Sequence, residues 1–330
     1  MPTFRRPTIL DVAREAGVSK SLVSLALRGD SGVSDSTRLR IAEAAATLGY
    51  RSNAVARALV QGRTSLIGAV ATELTNPYHS EVIGGIERAA DELGFDVLIS
   101  HGRRDPTRIT QRVERMLELN VDGIVVVSSW ADPEVLRQAS RHAPVVIVGR
   151  MPDQVSGVDT IVSDDRGGAA AAVEHLLEQG FESLTFVSSS QRPAAIARQE
   201  GFVQALAHHH AVRARVADVS ADTVTSIGRL LDDAARPSAI LANNDVTAVR
   251  VMDSALDRGL AIPHQLAIVG YDDTVLASLV RPTLTSVDQP NDDIGRIAME
   301  MVEERLSGRV HDRHEIIAPS LVVRASSRLR

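Results

Sequence analysis

The alternation that begins at Ser65 constrains this chain more than any other feature of its sequence. Apolar runs (SLIGAVAT, FDVLIS, DGIVVVSS, APVVIVG, DTIVS, SLTFVSS, ARVADVS, SAILANN and LAIVGYD) are mostly separated by amphipathic stretches such as SEVIGGIERAADELG and DVTAVRVMDSALDRG. Runs that are apolar throughout belong to strands covered on both faces. Intervening helices of about ten to fifteen residues supply the cover, and also the crossovers that parallel pairing requires. Nine such runs exceed one modest sheet. The pattern predicts an α/β body of two lobes, each a doubly wound parallel sheet, with a cleft at the carboxyl ends of the strands.

The first sixty residues obey a different periodicity. Thr8 precedes an apolar-periodic run and has Asp11 three residues on, the spacing of a capping box. A helix from Ile9 to about Ala16 follows, with Val12, Ala13 and Ala16 on one face and Gly17 as its stop. Ser19 caps a second helix, Lys20 to Arg28, ended by Gly29. Ser34 caps a third, Asp35 to Leu48, ended by Gly49. Three short helices, the first two joined by a tight glycine turn, predict a small all-α helix-turn-helix domain.

At about 100° per residue, Val23, Ala26 and Leu27 of the second helix turn toward a small core. Ser21, Leu25 and Arg28 point the opposite way, with Lys20 in the first turn. A recognition helix needs this layout, apolar behind and short polar or basic in front. A generic helical bundle with a solvated face shows it too, so charge helps to decide. The chain carries a net charge of -6, yet residues 1–63 hold ten Arg or Lys against five acids, a local +5 that leaves -11 on the remainder. Lys20 is the only lysine in the chain. A basic head on an acidic body favours a polyanionic partner for the head. Between the two, Asn53 can cap Ala54 to Val60, a helix too short to be stable alone. It reads as a hinge, and its Leu59 has the character of a minor-groove wedge.

The segments TILDVAREAGVSKSLVS, VSDSTRLRIAEAAATLGYRSN and NAVARAL resemble the head and hinge of LacI/GalR-family transcriptional regulators. The resemblance implies that Lys20, Ser21 and Leu25 read bases. It also implies that Ser19, Ser24, Ser34 and Asn53 meet phosphates and that Leu59 is the wedge. Thr8, Arg28 and Ala56 complete the candidate DNA contacts. The family commonly has arginine where Leu25 stands. Leucine cannot grip guanine bidentately but can pack on a thymine methyl, so a divergent half-site is expected.

The likeness continues through Asn76-Pro77-Tyr78, IARQEGF at 196–202, LANND at 241–245, VGYDD at 269–273, PTLTSVDQP at 282–290 and PSLVVRASS at 319–327. It implies a type I periplasmic-binding-protein-like effector domain. The expected organisation is 1–52 for the DNA-binding domain, 53–63 for hinge helix and linker, and 64–330 for the effector-binding and dimerisation body. Interlobe crossovers are expected near 162, 289 and 320.

Asn76, Asp164, Arg198, Asn244 and Asp272 lie at or just beyond strand ends. Their planar hydrogen-bonding groups suit a polyol, whose hydroxyls both give and take, and Arg198 offers a fork for two oxygens. The resemblance places Arg198, Asn244 and Asp272 at effector contacts, although an ion pair between Arg198 and Asp272 is the plainer alternative. Tyr78 on the opposite lobe and Trp130, the only tryptophan, complete the candidate site. Trp130 reads equally as a stacking platform or a core anchor. Sugar-responsive members often offer an aromatic where Val219 stands, so pentose, hexose, polyol and nucleoside remain open.

The chain has no cysteine, no Walker A, no G-x-G-x-x-G and no H-E-x-x-H. His208, His209 and His210 are consecutive and cannot converge on one ion. The Asp pairs 164/165, 272/273 and 292/293 lack a nucleophile or metal partner in sequence. No cofactor, metal or catalysis is therefore expected. No window approaches the ~18 apolar residues of a membrane helix, and no signal segment is seen, so a cytoplasmic location is expected. The expectation is a ligand-responsive repressor, a homodimer on double-stranded operator DNA with an inverted repeat, released by a sugar or polyol. The absence of a trailing heptad helix favours a dimer over a tetramer. A purine- or nucleoside-dependent corepressed form, and more remotely a solute-binding protein, are the alternatives.

Overall fold

A computed structural model describes residues 7–28, 30–50 and 63–329 and divides the chain into two units, residues 1–64 and 65–330. In the first unit, α1 (Ile9–Glu15), α2 (Lys20–Arg28) and α3 (Asp35–Leu48) enclose a core that includes Val12, Ala16, Val23, Ala26, Ile41 and Ala45. The caps stand where the sequence puts them. Thr8 N donates to Asp11 Oδ2 at 2.9 Å while Asp11 N donates to Thr8 Oγ1 at 3.4 Å. Ser19 Oγ accepts from Leu22 N at 3.2 Å, and Ser34 Oγ from Thr37 N at 3.4 Å. Each bond satisfies an amide that the first helical turn leaves orphaned. Gly17 and Gly49 both take φ of +64°, a conformation that costs glycine little. Arg38 of α3 donates to Ala26 O and Asp30 O, both at 2.9 Å, and so ties down the end of α2.

Leu27 departs from expectation: it is 39% exposed and lies outside the core. It sits about 40° past Val23, on the flank of the apolar stripe. A core built against one face of so short a helix takes only the middle of that stripe.

The described residues of the second unit form twelve strands in two six-stranded sheets. In chain order the strands are β1 (Leu66–Ala71), β2 (Asp96–His101), β3 (Gly123–Val127), β4 (Val145–Val148), β5 (Asp159–Ser163), β6 (Ser183–Ser188), β7 (Arg213–Asp218), β8 (Ala239–Ala242), β9 (Ala267–Asp272), β10 (Thr285–Asp288), β11 (His314–Ile317) and β12 (Ser320–Val322). The first lobe has the order β11-β5-β4-β3-β1-β2 and the second β12-β10-β9-β8-β6-β7. All pairings are parallel except β10 with β12. The central strands β3, β4, β8 and β9 are buried along their whole length, as two-sided cover requires.

The helices are α4 (Pro77–Glu92), α5 (Pro106–Glu118), α6 (Pro133–Ala139), α7 (Asp165–Glu178), α8 (Pro193–Leu206), α9 (Thr223–Asp232), α10 (Asp245–Asp257), α11 (Val275–Leu279) and α12 (Asn291–Leu306). The chain passes between lobes after β5, after β10 and between β11 and β12. Helix α7 buries Ala169, Val173 and Leu176 with Phe186 of the second lobe, whereas α12 buries Ile294, Ala298 and Val302 with Ile67 of the first. No helix among the described residues is long and apolar enough to cross a membrane.

Glycines let α4 and α12 approach closely. A Cβ at Gly295 would lie 2.3 Å from Val82 O and 2.6 Å from Ile86 N, and one at Gly85 would lie 2.3 Å from Asp292 O. These neighbours are backbone atoms and cannot swing aside. Gly295→Ala is expected to force the helices apart at a cost of about 1–3 kcal/mol, seen as a lower urea midpoint. An unchanged midpoint would contradict the close contact.

Candidate effector cleft and recognition helix

Between the lobes of the second unit lies a cavity of about 180 Å³, at the carboxyl ends of the strands. It is smaller than the roughly 300–1,000 Å³ of sites for drug-sized ligands. Arg198, from the first turns of α8, lines it and is only 7% exposed. Its Nε donates to Asp165 Oδ1 at 3.0 Å, and its Nη1 donates to Asp272 Oδ1 at 3.2 Å and to Asn243 O at 2.6 Å. The guanidinium carbon lies 3.6 Å from the centroid of the Tyr271 ring. Asp272 ends β9 with φ of +99° and Asp273 follows at +45°, so the chain turns sharply as the strand delivers its carboxylate. Gln289 Nε2 donates to Asp272 Oδ1 at 2.6 Å. Asp165 Oδ2 accepts from Arg150 Nε at 3.2 Å, and Arg150 Nη2 donates to Ser163 O at 3.2 Å. One chain of charge-assisted bonds therefore runs from Arg150 of the first lobe to Gln289 at the second crossover.

Burial sets the protonation of this network. It pushes Asp272 up to about 6, against the pull of Arg198. Burial opposes the charge on Arg198, but Asp165 and Asp272 outweigh it and hold the guanidinium firmly protonated. Asp245 opens α10 fully buried, accepting from Thr274 N at 2.7 Å, Thr274 Oγ1 at 2.9 Å and Ser286 Oγ at 2.5 Å. Burial and then the charge of Asp272 push it up to about 7. His79, half-buried at the cavity wall, is pushed down to about 4 by desolvation and is neutral.

Of the candidate effector contacts, Asn76, Tyr78, Trp130, Arg198, Asn244 and Asp272 all line this cavity. Asn76 and Asn244 also cap helices, their Oδ1 accepting from Tyr78 N at 3.2 Å and Thr247 N at 2.8 Å, which leaves the amide NH₂ groups as donors. Trp130 is partly packed on the first lobe's core, and the guanidinium carbon of Arg192 lies 3.1 Å from its ring centroid.

Asp164 requires correction. It is exposed and caps α7, its Oδ1 accepting from Gly167 N at 3.0 Å. A capping carboxylate must aim at the amides of its own helix, and the next residue, Asp165, turns into the cavity instead. Val219 is likewise a core residue, packed with Ile227 and Leu231, so the lack of an aromatic there describes packing of the second lobe. Arg150, Asp165, Arg192 and Gln289 were missed by sequence reasoning. Arg150 and Gln289 each follow closely on a strand end, which is the signal that could have found them.

In the first unit, Lys20 and Ser21 are exposed on α2, and Ser24 and Leu25 are half-buried. The hydroxyls of Thr8, Ser19 and Ser34 serve as caps. The side chain of Arg28, and the whole of Asn53, Ala56 and Leu59 with the expected hinge helix, lie outside the described residues.

Residues 8–53 match the family model for bacterial regulatory proteins of the lacI family, and residues 173–327 match a periplasmic binding protein-like domain. The chain is 32% identical to catabolite control protein A of Priestia megaterium over 312 residues, covering 92% of this chain and 94% of that protein. It is 28% identical to the ribose operon repressor of Escherichia coli (strain K12), covering 97% and 99%. The lac repressor dimer bound to operator and the anti-inducer ONPF superposes with a TM-score of 0.84 at 25% identity, covering 98% and 99%. Head, body and nearly the full length being matched, the chain belongs to the LacI family of bacterial regulatory proteins and is a DNA-binding transcriptional regulator.

Proposed function

We propose that this regulator is a homodimeric repressor that acts in the cytoplasm on an inverted-repeat operator and is released by a small polyhydroxylated effector. The observation that carries the effector assignment is the buried Arg198, paired with Asp272 and lining an interlobe cavity together with Asn244. Paired donors and acceptors of this kind match hydroxyls that must do both. The relatives named for ribose and lac control support a sugar as the ligand class. Effector binding biases how the lobes close, and the hinge segment transmits that bias to the heads, with a coupling of ~1–3 kcal/mol.

On the DNA side, Lys20, Ser21 and Leu25 read bases while Thr8, Ser19, Ser24, Arg28, Ser34 and Asn53 meet the backbone. Leu59 and Ala56 act from the hinge in the minor groove. The exposed apolar residues Leu98 and Ile99 on the edge strand β2, and Val216 on the edge strand β7, support a dimer, since such edges are normally covered.

An operator selected from random duplexes tests the proposal. With about eight phosphates neutralised per dimer, log affinity is expected to fall against log salt with a slope of roughly -7. The solution mass is expected at twice 35.4 kDa. A flat salt dependence or a monomer at operator-binding concentrations overturns it.

A further inference from the structure

The interlobe cavity holds more positive charge than its own carboxylates neutralise. Among the described residues four arginines line it, Arg104, Arg150, Arg192 and Arg198, against three carboxylates, Glu73, Asp165 and Asp272. Every carboxylate is committed. Glu73 pairs with Arg104 at 2.7 Å, Asp165 with both Arg150 and Arg198, and Asp272 with Arg198. Arg192 alone has no carboxylate and no hydrogen bond from its guanidinium among the described residues. Its guanidinium instead stacks on Trp130 of the opposite lobe, which orients the group while leaving its N–H edge available.

Arg104 stands near enough to be felt. Burial, and then repulsion from Arg104, hold the Arg192 pKa below the ordinary arginine value. Arg103 and Arg104 both adopt left-handed backbone, with φ of +54° and +61°. Side chains other than glycine take that conformation at a cost, so Arg104 is brought to the cavity wall against local preference. Two arginines, one from each lobe, thus face the cavity, and of the two only Arg192 has no carboxylate among the described residues. Closure on a neutral polyol would desolvate Arg192 with no counter-charge. A carboxylate or phosphate would supply one, and planar arginine forks bind both bidentately.

Resting on the effector assignment above, we propose that the effector is a small polyhydroxylated anion, a sugar bearing a carboxylate or a phosphate. Its charged group is held between Arg192 and Arg104 while its hydroxyls meet Arg198, Asp272 and Asn244.

The test uses the full-length protein and calorimetry with D-gluconate, D-galacturonate and D-ribose 5-phosphate, each compared with its neutral parent D-glucose, D-galactose or D-ribose. At least one anionic sugar is expected to bind roughly tenfold or more tightly than its parent. Arg192→Ala is expected to remove that preference and Arg192→Lys to retain part of it. Arg104→Ala provides a second variant should the first fail to fold. Preference for the sugar acids identifies a carboxylate ligand, and preference for the sugar phosphate a phosphorylated one. A panel in which no anion exceeds its neutral parent, or a preference that survives both alanine variants, overturns the inference. Operator retention with the same compounds separates it from the effector assignment. An anion bound through Arg192 that leaves operator affinity unchanged upholds the anion site and overturns its role as effector.

Discussion

Arg198→Ala is expected to abolish the effector response of the operator complex and to destabilise the body by about 3–5 kcal/mol. The two effects share one cause. Arg198 lines the cavity with Nη2 outside these bonds, and it is also the main cation between Asp165 and Asp272, which are 2% and 3% exposed. Its removal leaves Asp272 with no cation and Asp165 with Arg150 alone. Operator binding itself, measured well below the melting temperature, is expected to persist because the head folds around its own core. Arg198→Lys keeps a charge but loses the fork, so it should recover part of the stability and little of the response. Urea unfolding gives the first quantity, and operator retention against effector concentration gives the second. A variant that unfolds as the wild type does, or still responds fully, would contradict the assignment.

Asp245→Asn is expected to destabilise the body most in acid and least in base. Asp245 accepts three hydrogen bonds in full burial, and its carboxyl is pushed from 3.8 up to about 7 by burial and the Asp272 charge. A carboxyl whose folded pKa exceeds its unfolded value stabilises fully below the unfolded value, and that contribution disappears as pH rises through the folded value. The wild type therefore loses this contribution between about pH 4 and pH 8, whereas asparagine has no proton to lose. Asparagine also places an NH₂ group, with two hydrogens where the protonated carboxyl has one, against the Thr274 or Ser286 donors. The variant is expected to be weaker by about 2–3 kcal/mol at pH 5, with a gap narrower by about 2 kcal/mol at pH 8. Comparing two proteins cancels His79, which is held neutral and shifts stability in the opposite direction. Urea titrations at the two pH values measure the gap, and a gap independent of pH would show that Asp245 is ionised throughout.

Both predictions concern residues that sequence reasoning reached unevenly. Arg198 and Asp272 were legible because they sit in IARQEGF and VGYDD, at a helix start and a strand end, where a doubly wound sheet collects its ligand contacts. Asp164 and Asp165 were not separable, because adjacent residues at a helix N-terminus diverge and nothing local says which one caps and which one turns inward. Leu27 shows the same limit in the head. Its periodic position was read correctly, but the width of the stripe a small core can cover was not. Arg192 had no signal at all, since its environment is made by Trp130 and Arg104 from the other lobe.

The amino-acid sequence by itself determined the three capped helices, the two-lobed α/β body and the position of the cavity at its strand ends. These follow from interactions within a few residues: a serine oxygen over its own helix amides, a glycine at positive φ, an apolar run with no polar face. Only the tertiary structure decided which carboxylates meet Arg198, how the cavity's charge balances, and how far burial displaces Asp245 and Asp272. Those quantities depend on groups up to 74 residues apart brought within 3.2 Å and shielded from water, and no local pattern encodes the dielectric they share.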